Sequence, residues 1–305
     1  MIIGFAGLTH LGLVSQIASA NKGAKTIGFD FDLKKVKSFE KGNFDIFEPN
    51  LVDKFKKNKE LIRFTNDIKL LNNCDIIYIS SDIVTTEKGL SDYSLLKKYT
   101  KLICKNISKK KILVVLAQVS PGFTRAVNWP KNNLYYQVET LIFGKAFFRA
   151  SSPERIIIGS YKNKLSRKYK NFLKLFKCPL INMKYESAEF SKIAINILLS
   201  SSINTSNNLA RICETIDADW GEIKPSLQLD QRIGKYAYLK PGLGISGLNL
   251  IRDINTCINL SKNSKHEKKY LANLIDYSDF SREWAIKKLN FIIKKFKYKQ
   301  LKLTL

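Results

Sequence analysis

Paired cysteines are missing from this sequence. Its five cysteines (Cys74, Cys104, Cys178, Cys213, Cys257) are scattered without a C-x-x-C pair, and neither of its two histidines stands at metal-ligand spacing from them. Neither a disulfide framework nor a zinc site is suggested, and a reducing, cytoplasmic setting is expected. Long hydrophobic runs are missing too. No uninterrupted apolar stretch reaches the roughly 20 residues of a membrane helix, so no membrane partner is expected. The apolar opening that ends Ala18-Ser19-Ala20 has no Lys or Arg before it, which argues against a secretory leader. Acidic residues are scarce, 26 against 52 Lys and Arg, for a formal charge of +26. Only nine of those 52 are arginines, and the lysines cluster all along the chain, at Lys54 to Lys59, Lys109 to Lys111 and Lys294 to Lys299. Charge spread this way bears on solubility and non-specific binding, so nucleic-acid binding is not the expected function.

What is present suits a folded chain of one large or two ordinary domains: 305 residues, 45% of them hydrophobic, with no internal repeat and no low-complexity linker. Met1 to Ala6 reads as a strand, Gly7 to Gly12 as a glycine-rich turn, Leu13 to Ala20 as a helix and Thr26 to Phe31 as a second strand. That order is the opening of a dinucleotide-binding βαβ unit. Apolar runs of strand length recur at Asp75 to Ile79, Ile112 to Leu116, Leu134 to Val138 and Arg155 to Ile158, several of them separated by Lys-rich amphipathic segments. The alternation predicts an α/β domain over residues 1–184, a Rossmann-like doubly wound parallel sheet covered by helices.

From Glu186 to about Ile216 there is no Gly or Pro, and Phe190, Ile193, Ile197 and Leu198 share one helical stripe. A helix longer than ~25 residues suggests a connector or a subunit interface. A loop-rich segment, Lys235 to Gly247, and further helical patterns to about Lys299 follow, which predicts an α-helical central domain over 185–299. Leu301, Leu303 and Leu305 alternate with Lys302 and Thr304, so 300–305 reads as a strand just starting, which can also pair with an existing sheet.

The glycine signal is G-x-x-G-x-T-x-x-G, with Gly4, Gly7, Thr9 and Gly12. The standard fingerprint has glycine where Thr9 stands, because backbone there approaches a pyrophosphate at the helix N-terminus. Asp30 lies 18 residues after Gly12 at a strand end, where a carboxylate can bind ribose hydroxyls; a strand-to-helix turn with no ligand remains the alternative. Lys192 and Asn196 are four apart on the long helix, and a lysine with a carboxamide can stabilise an oxyanion. Asp230-Gln231-Arg232-Ile233-Gly234 and the glycine-rich stretch from Tyr238 to Asn249, with Gly242, Gly244 and Gly247, lead into Arg252-Asp253. Glycines permit positive φ and close approach to a ligand.

Together these residues resemble the UDP-glucose/GDP-mannose dehydrogenase family across essentially the whole chain. The landmarks occur in the family's order. Phe47-Glu48-Pro49-Asn50-Leu51 is similar to its E-P-G-L. Gln118 to Thr124 is similar to S-T/Q-V-P-P-G-x-T, and Val138-Glu139-Thr140-Leu141 stands where N-P-E-F-L occurs. Ala188-Glu189 with Lys192 and Asn196 matches A-E-x-x-K-x-x-x-N, and Asp230 to Gly234 matches D-x-R-I-G. The resemblance implies NAD as cofactor, held by Gly7, Thr9, Leu11, Gly12, Asp30 and Gln118. It implies a nucleotide-sugar substrate oxidised at C6 and bound by Arg232, Tyr238, Gly244 and Gly247, a homodimer formed through the long helix, and 300–305 as the start of a third domain missing from this sequence.

By the same resemblance Glu139 helps activate water, Lys192 and Asn196 stabilise the oxyanion, and Asp253 assists acid/base steps. The family's cysteine, which captures the aldehyde and becomes a thioester, falls at Asn249. A carboxamide is not a useful nucleophile, so that covalent route is closed at this position. Cys257, one helical turn beyond Asp253 if the segment is helical, has nothing else to mark it as a replacement. The sequence therefore implies a variant or truncated dehydrogenase, or a catalytically degenerate paralogue acting as a partner subunit.

Overall fold

Short β-branched and aromatic runs separated by helices build the N-terminal half. The computed structural model describes residues 1–86, 89–261 and 263–296. In chain order the elements are β1 (Ile2–Ala6), α1 (His10–Asn21), β2 (Lys25–Phe29), α2 (Leu33–Glu40), α3 (Leu51–Lys57), β3 (Ile62–Thr65) and β4 (Ile76–Ile79). A two-stranded ribbon, β5 (Val84–Thr85) with β6 (Ser91–Asp92), precedes α4 (Ser94–Asn106), β7 (Ile112–Val115), α5 (Phe123–Ala126) and β8 (Leu134–Gln137). Then come α6 (Ala146–Ser151), β9 (Ile156–Ser160), α7 (Arg167–Leu173), β10 (Leu180–Met183), α8 (Tyr185–Thr215), α9 (Trp220–Leu229), α10 (Leu248–Leu260) and α11 (Lys265–Phe296).

The chain divides into two units, Met1–Val84 with Ser91–Lys192, and Thr85–Leu90 with the residues from Ile193 on. The first is an eight-stranded sheet in the order β10-β9-β8-β7-β4-β1-β2-β3. Its central strands β4 and β7 are buried at every residue, as strands covered on both faces must be. On one face Ala6, Ile77, Ile79, Leu113 and Val115 pack with Leu96, Tyr99 and Ile103 of α4. On the other, Ile3, Phe5, Ile76, Tyr78 and Val114 pack with Tyr169, Phe172 and Leu173 of α7. Helices on both faces make the sheet doubly wound, as the sequence predicts.

Three details differ from what the sequence predicts. The edge strands β3 and β10 are not among the predicted strands. β9 runs antiparallel to β8, while the other strand pairs of the sheet are parallel. Finally, α1 starts at His10, so Gly12 is already helical rather than part of the turn.

The second unit is helical. α8, which begins in the first unit, runs for 31 residues with no glycine or proline inside it. Ile193, Ile245, Ile254, Cys257, Leu271 and Leu274 form the unit's apolar core. Beside it Ser200, Asn204, Ser206, Asn207, Ser278 and Ser281 are buried as well. Asn204 Nδ2 donates to the Leu274 carbonyl at 2.8 Å, which ties α8 to α11. Among the described residues no helix is long and apolar enough to cross a membrane. Residues 300–305, expected from the sequence to start a further domain, lie outside the described residues.

Candidate functional site

The glycine turn is built from the ends of β1, β2 and β4. Gly7 has φ +102°, a left-handed conformation that L side chains resist, and its N–H donates to the Phe29 carbonyl at 2.9 Å. A Cβ on Gly7 would lie 2.9 Å from the Ser81 backbone nitrogen. A Cβ on Gly12 would fall far inside contact with the Gly7 carbonyl oxygen and 2.8 Å from Ser80 Oγ. Glycine at 12 is therefore what lets α1 lie against the strand it follows. Asp30 comes directly after β2 and is buried; Oδ2 accepts from the Leu8 N–H at 3.0 Å and Oδ1 from the Asp32 N–H at 3.2 Å. Tyr99 also hydrogen-bonds this carboxylate; burial first, and then Asp30, push its phenol well above the usual range.

Thr9 caps α1 in an extended conformation, without bonding its helix through its side chain. Its Oγ1 instead accepts from the Asp82 N–H at 2.8 Å. Leu11, inside the first turn, donates its N–H to Asp82 Oδ2 at 3.1 Å. Asp82 is absent from the residues the sequence singles out, because nothing local links it to a helix 71 residues earlier.

Gln118 is half-buried between β7 and α5. The loop after it is held by Glu189, which is fully buried and accepts from the Gly122 N–H at 2.6 Å and the Thr124 N–H at 2.8 Å. Burial raises the Glu189 carboxyl above its ordinary value in spite of these bonds. Glu189, a near neighbour of Lys192 in the sequence, is thus a brace for the Ser-Pro-Gly loop. Glu139 follows β8, accepts from the Leu141 N–H, and lines a small cleft of about 60 Å³ with Leu11, Gln137, Arg149 and Arg155. Lys192 is half-buried on α8.

In the second unit Asn196 and Asp253 meet. Asn196 Nδ2 donates to Asp253 Oδ2 at 2.5 Å, and both residues are buried. Arg252, also buried, has Nε 3.5 Å from Asp253 Oδ1 and donates from a terminal nitrogen to Thr85 Oγ1 at 3.1 Å. Asn249 is exposed in the first turn of α10, one turn before Asp253. Cys257, a further turn on, is buried in the apolar core; burial, then the Asp253 charge, push its thiol up to about 11. A thiol so rarely ionised and so enclosed is not a replacement nucleophile.

The glycine-rich segment is pinned from two helices. Gly242 N–H donates to Asn207 Oδ1 on α8 at 2.7 Å, and Ile245 N–H donates to Ser278 Oγ on α11 at 2.8 Å. Arg282 on α11 donates to the Ile245 carbonyl at 3.0 Å. Gly244 has φ +92° and a Cβ there would meet the Ser278 carbonyl oxygen at 2.6 Å; Gly247, with φ +85°, opens α10. Tyr238 is half-exposed, and its carbonyl accepts from Ser206 Oγ at 2.9 Å. Arg232 is exposed and doubly bonded to Asp230, at 3.0 and 2.6 Å, which holds the Asp230 carboxyl below the usual range. Among the described residues no group of three or more His, Cys, Asp or Glu is placed to hold a metal ion.

This architecture is shared with solved proteins. It is similar to a UDP-glucose dehydrogenase from Pyrobaculum islandicum, with a TM-score of 0.84 at 22% identity over 96% of this chain and 71% of that one. It is also similar to a UDP-D-ManNAc dehydrogenase from Pyrococcus horikoshii, with a TM-score of 0.82 at 18% identity over 98% and 73%. In sequence, UDP-glucose 6-dehydrogenase TuaD of Bacillus subtilis is 30% identical over 94% of this chain, and the chain spans 65% of that relative's length. Residues 1–177 match the NAD binding domain, and residues 186–279 the central domain, of one and the same family. With both of these domains matched in order, and with a glycine turn and sheet of the corresponding form, the chain belongs to the UDP-glucose/GDP-mannose dehydrogenase family.

Proposed function

We propose that this chain binds NAD on its N-terminal unit and oxidises the C6 alcohol of a nucleotide sugar, UDP-glucose or a close analogue, to the aldehyde. The observation that carries the reading is the glycine turn, where Gly7 takes a left-handed φ, Gly12 admits the helix to the strand, and Asp30 closes β2 within the stretch that matches the NAD binding domain. The relatives that are UDP-glucose 6-dehydrogenases support the substrate class. NAD, when bound, supplies the hydride acceptor. Gly7, Thr9, Leu11 and Gly12 offer backbone to its diphosphate, Asp30 meets its ribose hydroxyls, and Gln118 borders it. Lys192 and Asn196 stabilise negative charge on the substrate oxygen, while Asp253 holds the Asn196 amide in place and assists proton transfer. Arg232, Tyr238, Gly244 and Gly247 bind the sugar nucleotide, and Glu139, which would activate water only in a second oxidation, is not called on for the first.

Asn249 sets the extent of the reaction. With a carboxamide at this exposed helix start and Cys257 enclosed, no thiol is offered to an aldehyde, so the second oxidation lacks its covalent route. The reaction is then one alcohol and one NAD⁺ going to one aldehyde, one NADH and a proton. The same residue favours a second reading, a non-enzymatic partner subunit. Exposed apolar side chains on α8, Leu198 at 70% and Ile212 at 45% among them, support pairing with another copy through that helix.

Calorimetric titration with NAD, followed by NADH yield with UDP-glucose, tests the reading. Saturable binding is expected, weakened about tenfold by Asp30→Ala through loss of hydrogen bonds worth ~1.4 kcal/mol, with one NADH per sugar. Absence of NAD binding refutes it. Binding without turnover favours the partner subunit, and two NADH per sugar refutes the part given to Asn249.

A further inference from the structure

The first turn of α1 already holds a carboxylate. Leu11 N–H donates to Asp82 Oδ2 at 3.1 Å, and Thr9 Oγ1 accepts from the Asp82 N–H at 2.8 Å while lying 3.4 Å from the Ser80 carbonyl it donates to. Residues 80–82, directly after β4, are thereby laced to residues 9–11. In a βαβ nucleotide fold the diphosphate takes this same helix N-terminus, drawn by free N–H groups and the positive end of the helix dipole. Asp82 itself is exposed, so the Leu11 contact is made by a side chain that packing does not confine. Beside it the Ser81 hydroxyl is fully buried and has no hydrogen-bond partner among the described residues. Ser81 Cβ lies 3.0 Å from where a side chain on Gly7 would begin, which puts this orphaned hydroxyl's residue against the glycine turn. A buried hydroxyl without a partner is costly unless a polar ligand atom completes it.

We propose that Asp82 is a built-in competitor for the cofactor's diphosphate, so that residue 82 sets the affinity for NAD. The proposal rests on the NAD reading of the same turn. In the free protein the Asp82 carboxylate occupies the Leu11 N–H; as the dinucleotide arrives it swings into solvent, because two anions cannot share one donor at hydrogen-bond distance without repulsion. The Asp82 N–H bond to Thr9 involves the backbone and is retained, so the loop stays where it is. Thr9 replaces the glycine of the standard fingerprint, and its hydroxyl fixes the segment that presents the competitor.

The test is titration of the full chain, Asp82→Ala and Asp82→Asn with NAD and with ADP-ribose, which keeps the diphosphate and lacks nicotinamide. Asp82→Ala is expected to tighten both ligands about tenfold, the effect of removing one like charge near a partly screened anion. Asp82→Asn tightens them less, since its amide oxygen still accepts from Leu11 without the charge. A wild-type chain that binds detectably but too weakly to saturate, beside an Asp82→Ala chain that saturates, also supports the proposal. Measurable wild-type binding that is unchanged or weakened in Asp82→Ala overturns it and leaves the NAD reading standing. No binding of either ligand by any of the three chains overturns both.

Discussion

Replacing Gly12 with alanine puts one methyl group between a helix and a strand. In the structure that methyl would overlap the Gly7 carbonyl oxygen and stand 2.8 Å from Ser80 Oγ and 2.9 Å from the Gly7 carbonyl carbon. Real Cβ contacts do not fall below 3.0 Å, so α1 must move by roughly an ångström, and backbone cannot yield as a flexible side chain does. Overpacking of this kind costs about 1–3 kcal/mol, with backbone on both sides placing the site at or above the upper end. Against it, alanine in a helix gains up to about 1 kcal/mol over glycine. The net expectation is a loss of about 2–3 kcal/mol in the first unit, or roughly 4–12 °C in melting temperature for a unit of this size. Gly242→Ala is the control: its Cβ meets nothing within 4 Å and its φ is not left-handed, so it should stay within about 0.5 kcal/mol of the parent. Urea denaturation followed by circular dichroism reads both. A Gly12→Ala chain as stable as the Gly242→Ala chain would refute the claim that position 12 is a packing glycine.

Two further outcomes are expected. Arg125 is bonded to Glu186 and holds its carboxyl down to about 2 against an ordinary 4.5; both side chains are more than a third exposed, so solvent limits the pair to about 0.2–1 kcal/mol. That contribution is present above pH 4.5 and disappears as pH falls toward 2, so the stability gap between the parent and Glu186→Gln should shrink over that window; a gap constant from pH 6 to pH 3 would count against it. Asn249→Cys places a thiol in the exposed first turn of α10, where the helix dipole favours a thiolate. It should react with a thiol reagent at least about tenfold faster than Cys257 and raise the yield toward two NADH per sugar, whereas slow labelling would show that the position is closed.

The parts of the fold legible in the sequence are those with a one-dimensional imprint. The strands β1, β4 and β7 are interior and covered on both faces, so they are written as unbroken apolar runs. β3 and β10 are the two edges; β3 carries exposed Arg63, β10 carries Asn182, and neither reads as a run. Gly7 is legible because only glycine accepts its backbone angle cheaply. The brace from Glu189 to Gly122 and Thr124, the Asn196–Asp253 bond and the Asp82 contact join residues 57 to 71 positions apart, and no local pattern encodes them.

The pins on the glycine-rich segment bear on the order in which the chain can take shape as it is made. Ile245 finds Ser278 and Arg282 only after 33 and 37 further residues have been added. Until α11 has left the ribosome, the stretch ahead of Asn249 has the supports from Ser206 and Asn207 on α8 and lacks those from Ser278 and Arg282. During synthesis the N-terminal sheet is therefore able to close long before the segment that presents Asn249, and that segment is completed only when α11 arrives.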